Sequence, residues 1–246
     1  MKLRLDKLLV ERGLVSSRER AQALILAGKV LVNEQKVEKS GAAVEADVAL
    51  RLLGEDLKYV SRGGLKLEKA LDYWHINVAG CTCLDVGAST GGFTDCFLQH
   101  GAAFVMAVDT GYGQMDLHLR GDPRVRLLEK TNARYLTAEV LAKRIDVVAM
   151  DVSFISATLV LPAVLDAAFC GEKTGGQIIV LVKPQFEAGR AQVGKGGIVR
   201  DETAQMVAVE KVQQAVAELG AKRSDFIDSP ILGAEGNREF LLYALF

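Results

Sequence analysis

The chain has 246 residues, of which 50% are hydrophobic, 25% are charged and 6% are aromatic. Its 30 Lys and Arg balance 31 Asp and Glu, so a net charge of -1 excludes a chain that is mainly a basic arm or an acidic tail. Four cysteines are too few for a disulfide scaffold, and three histidines leave little material for a Cys/His metal cluster. This composition is typical of a soluble α/β protein with one large domain and room for a small companion.

No segment of the sequence is typical of a membrane span or a signal peptide. The longest stretch without a charged residue covers 152–165 and contains Pro162. A membrane-spanning helix needs about 20 apolar residues, so we expect no span. The first seven residues include Lys2, Arg4, Asp6 and Lys7 and lack the apolar region of a signal peptide. We therefore expect a cytoplasmic protein that does not enter a membrane.

The charge is distributed unevenly along the chain. Residues 1–39 carry nine basic and five acidic side chains, so this segment has a net charge of +4 and the remainder has a net charge of -5. A basic segment on a mildly acidic body favours contact with a polyanion. Two solvated helix faces explain the same charges equally well.

The first 57 residues predict a miniature α+β module. Leu5, Leu8 and Leu9 lie on one face of a first helix. Ser16 and Glu19 form a capping box that opens a second helix. The short strands predicted after these helices cover 30–32, 36–37 and 48–52.

Three motifs in this module, Arg4–Leu9, Ser16–Ala21 and Leu24–Asn33, resemble the S4 RNA-binding domain. The resemblance implies that the second helix and its neighbouring loop contact RNA phosphates. The RNA contacts that we expect in this module are Arg4, Arg18, Arg20 and Lys29.

From Cys81 onward, apolar strands alternate with helices. The predicted strands cover 82–86, 104–108, 145–150 and 177–182, and the predicted helices cover 93–99, 156–168 and 201–219. Strands that are apolar throughout indicate a parallel sheet with both faces covered by helices. Ligands bind beyond the carboxyl ends of such strands. Gly87, Asp109, Asp151 and Lys183 all fall there.

The Gly-rich turn 87–92 is open to three interpretations. Its glycines do not have the G-x-G-x-x-G spacing of a dinucleotide site. The first five residues match the G-x-S-x-G elbow of hydrolases around Ser89, but no histidine follows His118 to complete a triad. The third interpretation is a turn for S-adenosylmethionine, in which small residues let the backbone approach the cofactor and Asp109 accepts hydrogen bonds from its ribose hydroxyls.

Five further motifs extend the resemblance over nearly the whole chain: Tyr59–Leu67, Asp85–Thr94, Asp151–Ile155, Val182–Glu187 and Gly236–Phe240. Together they resemble the TlyA family, whose members were called hemolysins but are similar to FtsJ-type ribose 2′-O-methyltransferases and act on ribosomal RNA. The resemblance implies an α/β, Rossmann-like class I S-adenosylmethionine methyltransferase fold.

The resemblance also implies the organisation and the substrate. The expected domains are an S4-like domain over 1–57, a linker over 58–64 and an FtsJ-like methyltransferase domain over 65–246. The chain starts almost at the S4 motif, as in the shorter members of the family, which favours a cytidine of 23S rRNA in the large subunit over one of 16S rRNA. The expected partner is ribosomal RNA or a ribosomal subunit, with S-adenosylmethionine as cofactor, no metal and a monomeric enzyme.

By motif match, the Lys-Asp-Lys-Glu tetrad of FtsJ-like enzymes falls on Lys66, Asp151, Lys183 and Glu239. Lys183 is the expected base, because crowding by the cationic Lys66 and partial burial would lower its pKa from about 10.4. The two carboxylates would orient the lysines. For each of these residues, the alternative to a catalytic role is a surface salt bridge, and this alternative is strongest for Lys66. The expected cofactor contacts are Asp85, Gly87, Ser89, Thr90, Gly91, Gly92, Phe93, Asp109, Asn132 and Asp151.

Two further segments bear on RNA binding. The Gly-rich basic loop 189–200 is not a P-loop; it either closes over RNA and cofactor or is merely mobile, and its place at this edge of the sheet favours closure. It adds Arg190 and Lys195 to the expected RNA contacts. The segment 58–64 adds Arg62 and is either a hinge that transmits RNA binding or a passive linker.

The acceptor atom predicted by the sequence is oxygen. The segment 151–154 lacks the Asp/Asn-Pro-Pro-aromatic pattern of amino-group methyltransferases. Carbon methylation of pyrimidines needs a cysteine near a strand end, and the cysteines here are better explained as buried structural thiols; they are Cys81, Cys83, Cys96 and Cys170. The alternative function is a catalytically silent RNA-binding or membrane-active protein. The intact tetrad favours the enzyme.

Overall fold

The computed structural model describes residues 2–15, 17–53, 58–170 and 174–246, with the side chains of Arg190 and Ala234 left out. The chain divides into two compact units, Met1–Leu57 and Lys58–Phe246. Within the described residues, no helix combines the length and the apolar character needed to cross a membrane.

The described residues of the smaller unit form two helices and two small antiparallel sheets. Its elements are β1 (Lys2–Arg4), α1 (Leu5–Glu11), α2 (Arg18–Leu26), β2 (Val30–Val32), β3 (Gln35–Lys36), β4 (Ala43–Glu45) and β5 (Leu50–Leu52). Strand β1 pairs with β4, and β2 lies between β3 and β5. Leu5, Leu9 and Ile25 are fully buried in the core between these elements. The predicted α+β module is confirmed, because the apolar faces of both helices pack against the sheet residues.

The second helix begins one residue later than its predicted cap implies. Ser17 is the N-cap of α2, and its Oγ accepts a hydrogen bond from the backbone N–H of Arg20 at 3.2 Å. The prediction of Ser16 as the cap was wrong, and Ser16 itself lies outside the described residues. In a Ser-Ser pair, the residue directly before the first helical residue is the one whose hydroxyl reaches the N–H groups of the first turn.

The larger unit is a seven-stranded sheet with helices on both faces. Its strands are β6 (Thr82–Val86), β7 (Phe104–Val108), β8 (Val125–Leu128), β9 (Val147–Met150), β10 (Gln177–Val182), β11 (Arg223–Asp228) and β12 (Phe240–Leu245). Its helices are α3 (Gly63–Tyr73), α4 (Gly92–Gln99), α5 (Leu117–Arg120), α6 (Ala138–Leu141), α7 (Leu161–Phe169), α8 (Pro184–Glu187) and α9 (Glu202–Glu218). Short 3₁₀ turns cover Ala133–Tyr135, Ala157–Leu159, Arg190–Gln192 and Ala234–Gly236.

The strand order in this sheet is β11-β12-β10-β9-β6-β7-β8. The inner strands pair in parallel, whereas β12 is antiparallel to both of its neighbours. Four of the parallel strands were predicted from the sequence, whereas β8, β11 and β12 were not. The direct connection over 229–239 between β11 and β12 contains no crossover helix, so β12 has to return antiparallel.

Successive residues of each inner strand pack on opposite faces of the sheet. Val148 and Met150 of β9 face a cluster formed with α7 and α9, whereas Val147 and Ala149 face a cluster formed with α3 and α4. All four side chains are fully buried. The predicted α/β fold, with a largely parallel sheet covered on both faces, is therefore confirmed.

The segment 58–64, predicted as a linker, packs closely within the larger unit. Tyr59 is buried against α3 and α4. The backbone N–H of Val60 donates to the Asp95 carboxylate at 2.8 Å. A Cβ on Gly64 would overlap the Tyr59 ring, so glycine permits this close approach. These contacts fix the start of α3, the helix that carries Lys66.

Candidate active site

Four strand ends bring the predicted site residues to one edge of the sheet. Asp85 lies near the end of β6, and Asp109, Asp151 and Lys183 directly follow β7, β9 and β10. These strands are neighbours in the order β10-β9-β6-β7. The edge therefore presents three carboxyl groups and one ammonium group side by side, as expected where ligands bind such sheets.

The Gly-rich turn after β6 requires its glycines. Gly87 has φ of +87°, and a Cβ there would overlap the backbone carbonyl oxygen of Asp151. Gly91 has φ of +95°, and a Cβ there would overlap the Leu119 side chain. Ser89 adopts a positive φ of +47° without being glycine. Such backbone conformations gather at ligand sites, and here they let the turn lie against the end of β9.

The predicted catalytic tetrad forms two lysine–carboxylate pairs. Lys183 Nζ lies 2.5 Å from Asp151 Oδ1 and donates a hydrogen bond to Ser153 Oγ at 2.7 Å. Lys66 Nζ lies 2.6 Å from Glu239 Oε2. Each ammonium has its own carboxylate partner, which compensates its positive charge. The prediction that Lys66 crowds Lys183 did not take these two partners into account.

The Lys66–Glu239 pair is not a surface salt bridge. Lys66 is 8% exposed and Glu239 is 3% exposed. Breaking such a buried pair by removing one partner costs about 3–5 kcal/mol, whereas exposed pairs contribute about 0–1 kcal/mol. The alternative that the sequence left open for Lys66 was therefore wrong.

Two cavities adjoin the turn after β6. The first has a volume of about 250 Å³, and the predicted residues that line it are Arg62, Lys66, Asp85, Gly87, Ser89, Thr90, Gly92, Phe93 and Asp151. The second has a volume of about 450 Å³, and the predicted residues that line it are Gly87, Ser89, Asp109, Asn132 and Asp151. Gly91 lines neither cavity and instead contacts Leu119. Across the described ranges, no group of three or more His, Cys, Asp or Glu could hold a metal ion.

The Asp109 carboxylate is held in place by backbone groups. Its Oδ2 accepts a hydrogen bond from the N–H of Ser89 at 2.8 Å, and its Oδ1 accepts one from the N–H of Gly111 at 2.6 Å. Each oxygen can accept a further hydrogen bond. A carboxylate fixed at the wall of a cavity in this way can bind a pair of ligand hydroxyls.

Asp85 is a fully buried carboxyl group with one unsatisfied oxygen. Its Oδ2 accepts hydrogen bonds from the backbone N–H and the Oγ1 of Thr94, at 2.9 and 2.6 Å. Its Oδ1 has no partner among the described residues. Burial raises the pKa of Asp85 to about 7; the Thr94 hydrogen bonds oppose this shift and the Asp151 charge adds to it. A ligand cation in the smaller cavity would favour the charged carboxylate.

Sequence reasoning missed two residues after Asp151 that line the larger cavity, Ser153 and Phe154. Phe154 is 92% exposed and has φ of +64°, a strained conformation for an aromatic residue. Its ring lies 5.3 Å from that of Phe186. The motif 151–155 marked the segment, but no sequence pattern shows that a phenylalanine points into solvent.

Two of the expected RNA contacts in the smaller unit, Arg4 and Arg18, are bound to one buried carboxylate, Asp6. Arg4 donates two hydrogen bonds to Asp6, at 3.0 and 2.9 Å, and Arg18 Nε donates one at 2.9 Å. These contacts, led by Arg4, hold the pKa of Asp6 well below its usual range although burial opposes the shift. Both guanidinium groups remain nearly half exposed. Asp6 thus presents them on one surface.

The other expected RNA contacts differ in exposure. Lys29, Arg62 and Lys195 are exposed, and Arg20 is half-buried. The Arg190 side chain lies outside the described residues. The later part of the loop 189–200 is bound by Asn237, whose Nδ2 donates to the Gly197 carbonyl at 3.0 Å and whose Oδ1 accepts from the Val199 N–H at 3.2 Å. Closure of this loop over RNA stays a prediction.

The prediction of buried structural thiols is correct for two of the four cysteines. Cys83 and Cys96 are buried, and burial raises the pKa of the Cys96 thiol to about 12. Cys81 is half-buried, and Cys170 is exposed. Cys170 has φ of +50° at the end of α7, so the turn that ends the helix exposes a side chain that the helical pattern would bury.

Comparisons with known proteins follow the division into two units. The FtsJ-like methyltransferase family matches residues 59–246, and the S4 domain matches residues 3–48. A Mycobacterium tuberculosis relative named 16S/23S rRNA (cytidine-2'-O)-methyltransferase TlyA is 46% identical, over 98% of this chain and 88% of its own length. A Campylobacter jejuni relative named 23S rRNA (cytidine-2'-O)-methyltransferase TlyA is 36% identical, over 75% of this chain and 70% of its own length. A solved Streptococcus thermophilus structure that bears the name hemolysin is 44% identical, with a TM-score of 0.73 over 99% of this chain and 88% of that one.

Proposed function

Because the chain belongs to the FtsJ-like methyltransferase family and carries an S4 domain, we propose that it methylates the ribose 2′-hydroxyl of a cytidine in ribosomal RNA, with S-adenosylmethionine as the methyl donor. The observation that carries the proposal is the Lys183–Asp151 pair at the strand ends, with the buried Lys66–Glu239 pair in the same unit. An enzyme of this kind works in the cytoplasm, where ribosomal RNA is found.

The residues around the two cavities fit this cofactor. The carboxylate of Asp109 would accept hydrogen bonds from its ribose hydroxyls, and the unsatisfied Oδ1 of Asp85 would accept one from its ammonium group. Gly87 and its neighbours allow the backbone to approach the methionine part closely, and Asn132 lines the same wall as Asp109. When bound, S-adenosylmethionine supplies an electrophilic methyl group on a sulfonium.

The chain's own residues have to align the acceptor oxygen and remove its proton. Methyl transfer from a sulfonium is an in-line displacement, so positioning of the acceptor contributes much of the rate. Lys183 in its neutral form would take the proton of the 2′-hydroxyl as a general base. Asp151 holds the Lys183 amine at the strand end, and Glu239 holds Lys66 at the wall of the smaller cavity.

The S4 domain would bring the RNA. Arg4 and Arg18, both held by Asp6, with Arg20 and Lys29 would contact phosphates, and Arg62, Arg190 and Lys195 would add contacts from the catalytic unit. The name of the M. tuberculosis relative includes 16S and 23S rRNA, and that of the C. jejuni relative includes 23S alone. Since 23S rRNA is common to both names, we propose that the substrate is the RNA of the large subunit. We also propose that the enzyme is a monomer.

Mass mapping of ribose methylation tests the proposal. Purified protein with labelled S-adenosylmethionine should transfer the label to a 2′-oxygen of cytidine in 23S rRNA, offered either naked or as a large subunit. Matched incubations with 16S rRNA and small subunits would show the selectivity. Absence of any 2′-O-methyl group on both RNAs would contradict the proposed activity, and label on a base would contradict the acceptor atom.

Asp109→Ala should weaken cofactor binding because it removes both acceptor oxygens from the wall of the larger cavity. We expect a loss of about 1.5–3 kcal/mol, the range for hydrogen bonds to charged groups. Isothermal titration calorimetry with S-adenosylmethionine measures this loss. Asp122→Ala, which removes a carboxylate paired with Arg124 away from both cavities, serves as the control and should bind normally. Undiminished affinity in Asp109→Ala would contradict the assignment.

The raised pKa of Asp85 should make the stability of the unliganded protein depend on pH. The folded chain keeps this proton up to about pH 7, whereas an unfolded aspartate has a pKa near 3.8. Between these values the folded state binds more protons, so the free energy of unfolding falls as the pH rises. At pH 8 the loss in the free energy of unfolding, relative to a pH below both pKa values, reaches an upper limit of about 4 kcal/mol.

Urea unfolding of the wild type and Asp85→Asn at pH 5 and pH 8 measures this effect. The asparagine keeps an acceptor for Thr94 and carries no charge, so the variant should lose less stability than the wild type between the two pH values. Its affinity for S-adenosylmethionine should nevertheless fall, because the ammonium loses its charged partner. Equal pH dependence in both proteins would show that Asp85 is ionised across this range.

Replacing Arg18 and Arg20 together with glutamine should weaken RNA binding and reduce its dependence on salt. Each lost phosphate contact lowers the slope of log K against log salt by about 0.7–0.9. Fluorescence anisotropy with a labelled rRNA fragment at several salt concentrations measures the slope. Cofactor binding should not change. If the slope stayed the same, the RNA surface would lie elsewhere on the protein.

A further inference from the structure

Glu187, which the proposed chemistry does not use, is a buried carboxylate that joins three segments of the catalytic unit. It is the last residue of α8 and is 6% exposed. Its Oε1 accepts a hydrogen bond from the backbone N–H of Ala157 at 2.5 Å, and its Oε2 accepts one from the Ser156 hydroxyl. Lys211 of α9 lies 3.2 Å from Oε2 and donates to the Glu187 carbonyl at 3.0 Å.

Together with the Lys183–Asp151 pair, these contacts join the segments after β9 and β10 at two places and so form a closed ring at the carboxyl end of the sheet. One side of the ring is the Lys183–Asp151 pair, and the opposite side is the contact of Glu187 with Ser156 and Ala157. The chain segments 151–157 and 183–187 connect the two sides. Since both ends of the 151–157 loop are tied to the segment after β10, the position of the loop and that of Lys183 depend on each other.

Ser153, which accepts the hydrogen bond from Lys183, and Phe154 lie on the loop inside this ring. The positive φ of Phe154 is unfavourable for a residue with a side chain, by about 1–3 kcal/mol, and persists only where the surroundings impose it. The Phe154 side chain is almost entirely exposed apart from its ring contact with Phe186 on α8, so burial of this side chain does not impose that conformation. The constraint therefore comes from the two ends of the loop, and Glu187 holds the second of them.

We propose that Glu187 is a positioning residue for methyl transfer, which fixes the 151–157 loop so that Ser153 and Asp151 hold the Lys183 amine toward the acceptor. This inference rests on the proposed function for its kinetic consequence. Apolar packing would stabilise the same contact at lower cost, since a buried carboxylate has to be desolvated. A carboxylate instead imposes direction, because it accepts from the Ala157 N–H and the Ser156 hydroxyl at once.

Glu187→Gln tests the inference with little change in shape. The amide has one acceptor oxygen in place of two. Its NH₂ group therefore has to face either the Ala157 N–H or the Lys211 ammonium, both of which can only donate. We expect kcat to fall on the order of 10–100-fold, as when a reacting group is displaced by about 1 Å. The KM for RNA should stay within about twofold, and the Kd for S-adenosylmethionine should rise by less than kcat falls, because Glu187 itself lines neither cavity and the loop forms only part of the larger one. Hydrogen exchange of peptides that cover 151–157 should become faster.

Three further variants make the result specific. Glu210→Gln changes an exposed glutamate next to Lys211 on α9 and should behave as wild type in every assay. Lys211→Met removes the charge partner while both donors to Glu187 remain, and should lower kcat less than Glu187→Gln. Ser156→Ala removes one donor and leaves the carboxylate, which keeps the test available if Glu187→Gln does not fold. It should also lower kcat and speed exchange of the loop.

The inference is overturned if Glu187→Gln and Ser156→Ala keep the wild-type kcat while only their melting temperatures fall, since Glu187 would then be structural alone. Unchanged hydrogen exchange over 151–157 in both variants would also overturn it. Failure of the proposed function is a separate result: the wild type would transfer no methyl group to RNA, while hydrogen exchange would still report whether Glu187 fixes the loop.

Discussion

Lys183→Ala should abolish methyl transfer while RNA and S-adenosylmethionine still bind. Lys183 follows β10 directly, and its ammonium is held by Asp151 and Ser153 at the edge of the sheet where the cavities open. Loss of a general base lowers a rate by about 10²–10⁴-fold, and the loss falls on kcat. Single-turnover rates at saturating cofactor and RNA, with calorimetry for cofactor affinity, measure the two effects separately.

Lys183→Arg distinguishes a base from a positive charge. A guanidinium has a pKa above about 12 and cannot accept a proton near neutrality, although it can keep an ion pair with Asp151. The arginine variant should therefore be as inactive as the alanine variant. Wild-type turnover in Lys183→Arg would mean that Lys183 positions the acceptor electrostatically and that the proton leaves by another route.

Gly233→Ala should disable the enzyme through the Lys66–Glu239 pair. A Cβ on Gly233 would overlap Oε1 of Glu239, so the carboxylate has to move and Lys66 loses its partner. Breaking a buried ion pair costs about 3 kcal/mol or more of folding stability, and displacing a positioned group such as Lys66 by about 1 Å lowers kcat by about 100-fold. Rate measurements should show this loss together with a lower melting temperature.

Gly121→Ala is the matched control for that substitution. Gly121 ends α5, has a negative φ, and an added Cβ would meet only ordinary van der Waals contacts. It should keep both the activity and the melting temperature of the wild type. If Gly233→Ala also kept full activity, the exact placement of Glu239 would be unimportant for catalysis.

The sequence predicted those parts of the site that rest on local pattern. An apolar strand followed by a glycine turn or a charged residue placed Gly87, Asp109, Asp151 and Lys183 at one edge of the sheet, and the structure agrees. The resemblance to S4 and FtsJ-like proteins is confirmed by the family matches. The resemblance alone placed Lys66 and Glu239 in one tetrad, and their direct pairing was not predicted, because no local pattern relates residues so far apart.

Other features could not be predicted because they depend on tertiary packing. The exposure of Phe154 and the burial of Glu187 depend on segments that are distant in the sequence. The antiparallel direction of β12 follows from its direct connection to β11, a strand that was not predicted. Strand β11 has two apolar residues that are adjacent, Phe226 and Ile227, and both of its end residues are exposed, so its sequence lacks the pattern of a strand. The Ser16–Ser17 pair shows the same limit on a small scale: the spacing to Glu19 favours Ser16, and only the path of the backbone selects Ser17.

The strand β12 inserts between β10 and β11, and the residue just before it completes an ion pair with a helix near the start of the larger unit. Glu239 and Lys66 are 173 positions apart in the sequence. During translation, every other strand of the sheet leaves the ribosome before β12 does. A nascent chain thus exposes the unpaired edges of β10 and β11 and an uncompensated Lys66 until the last strand emerges. Under the proposed function, an incomplete chain could not modify the ribosome that is synthesising it.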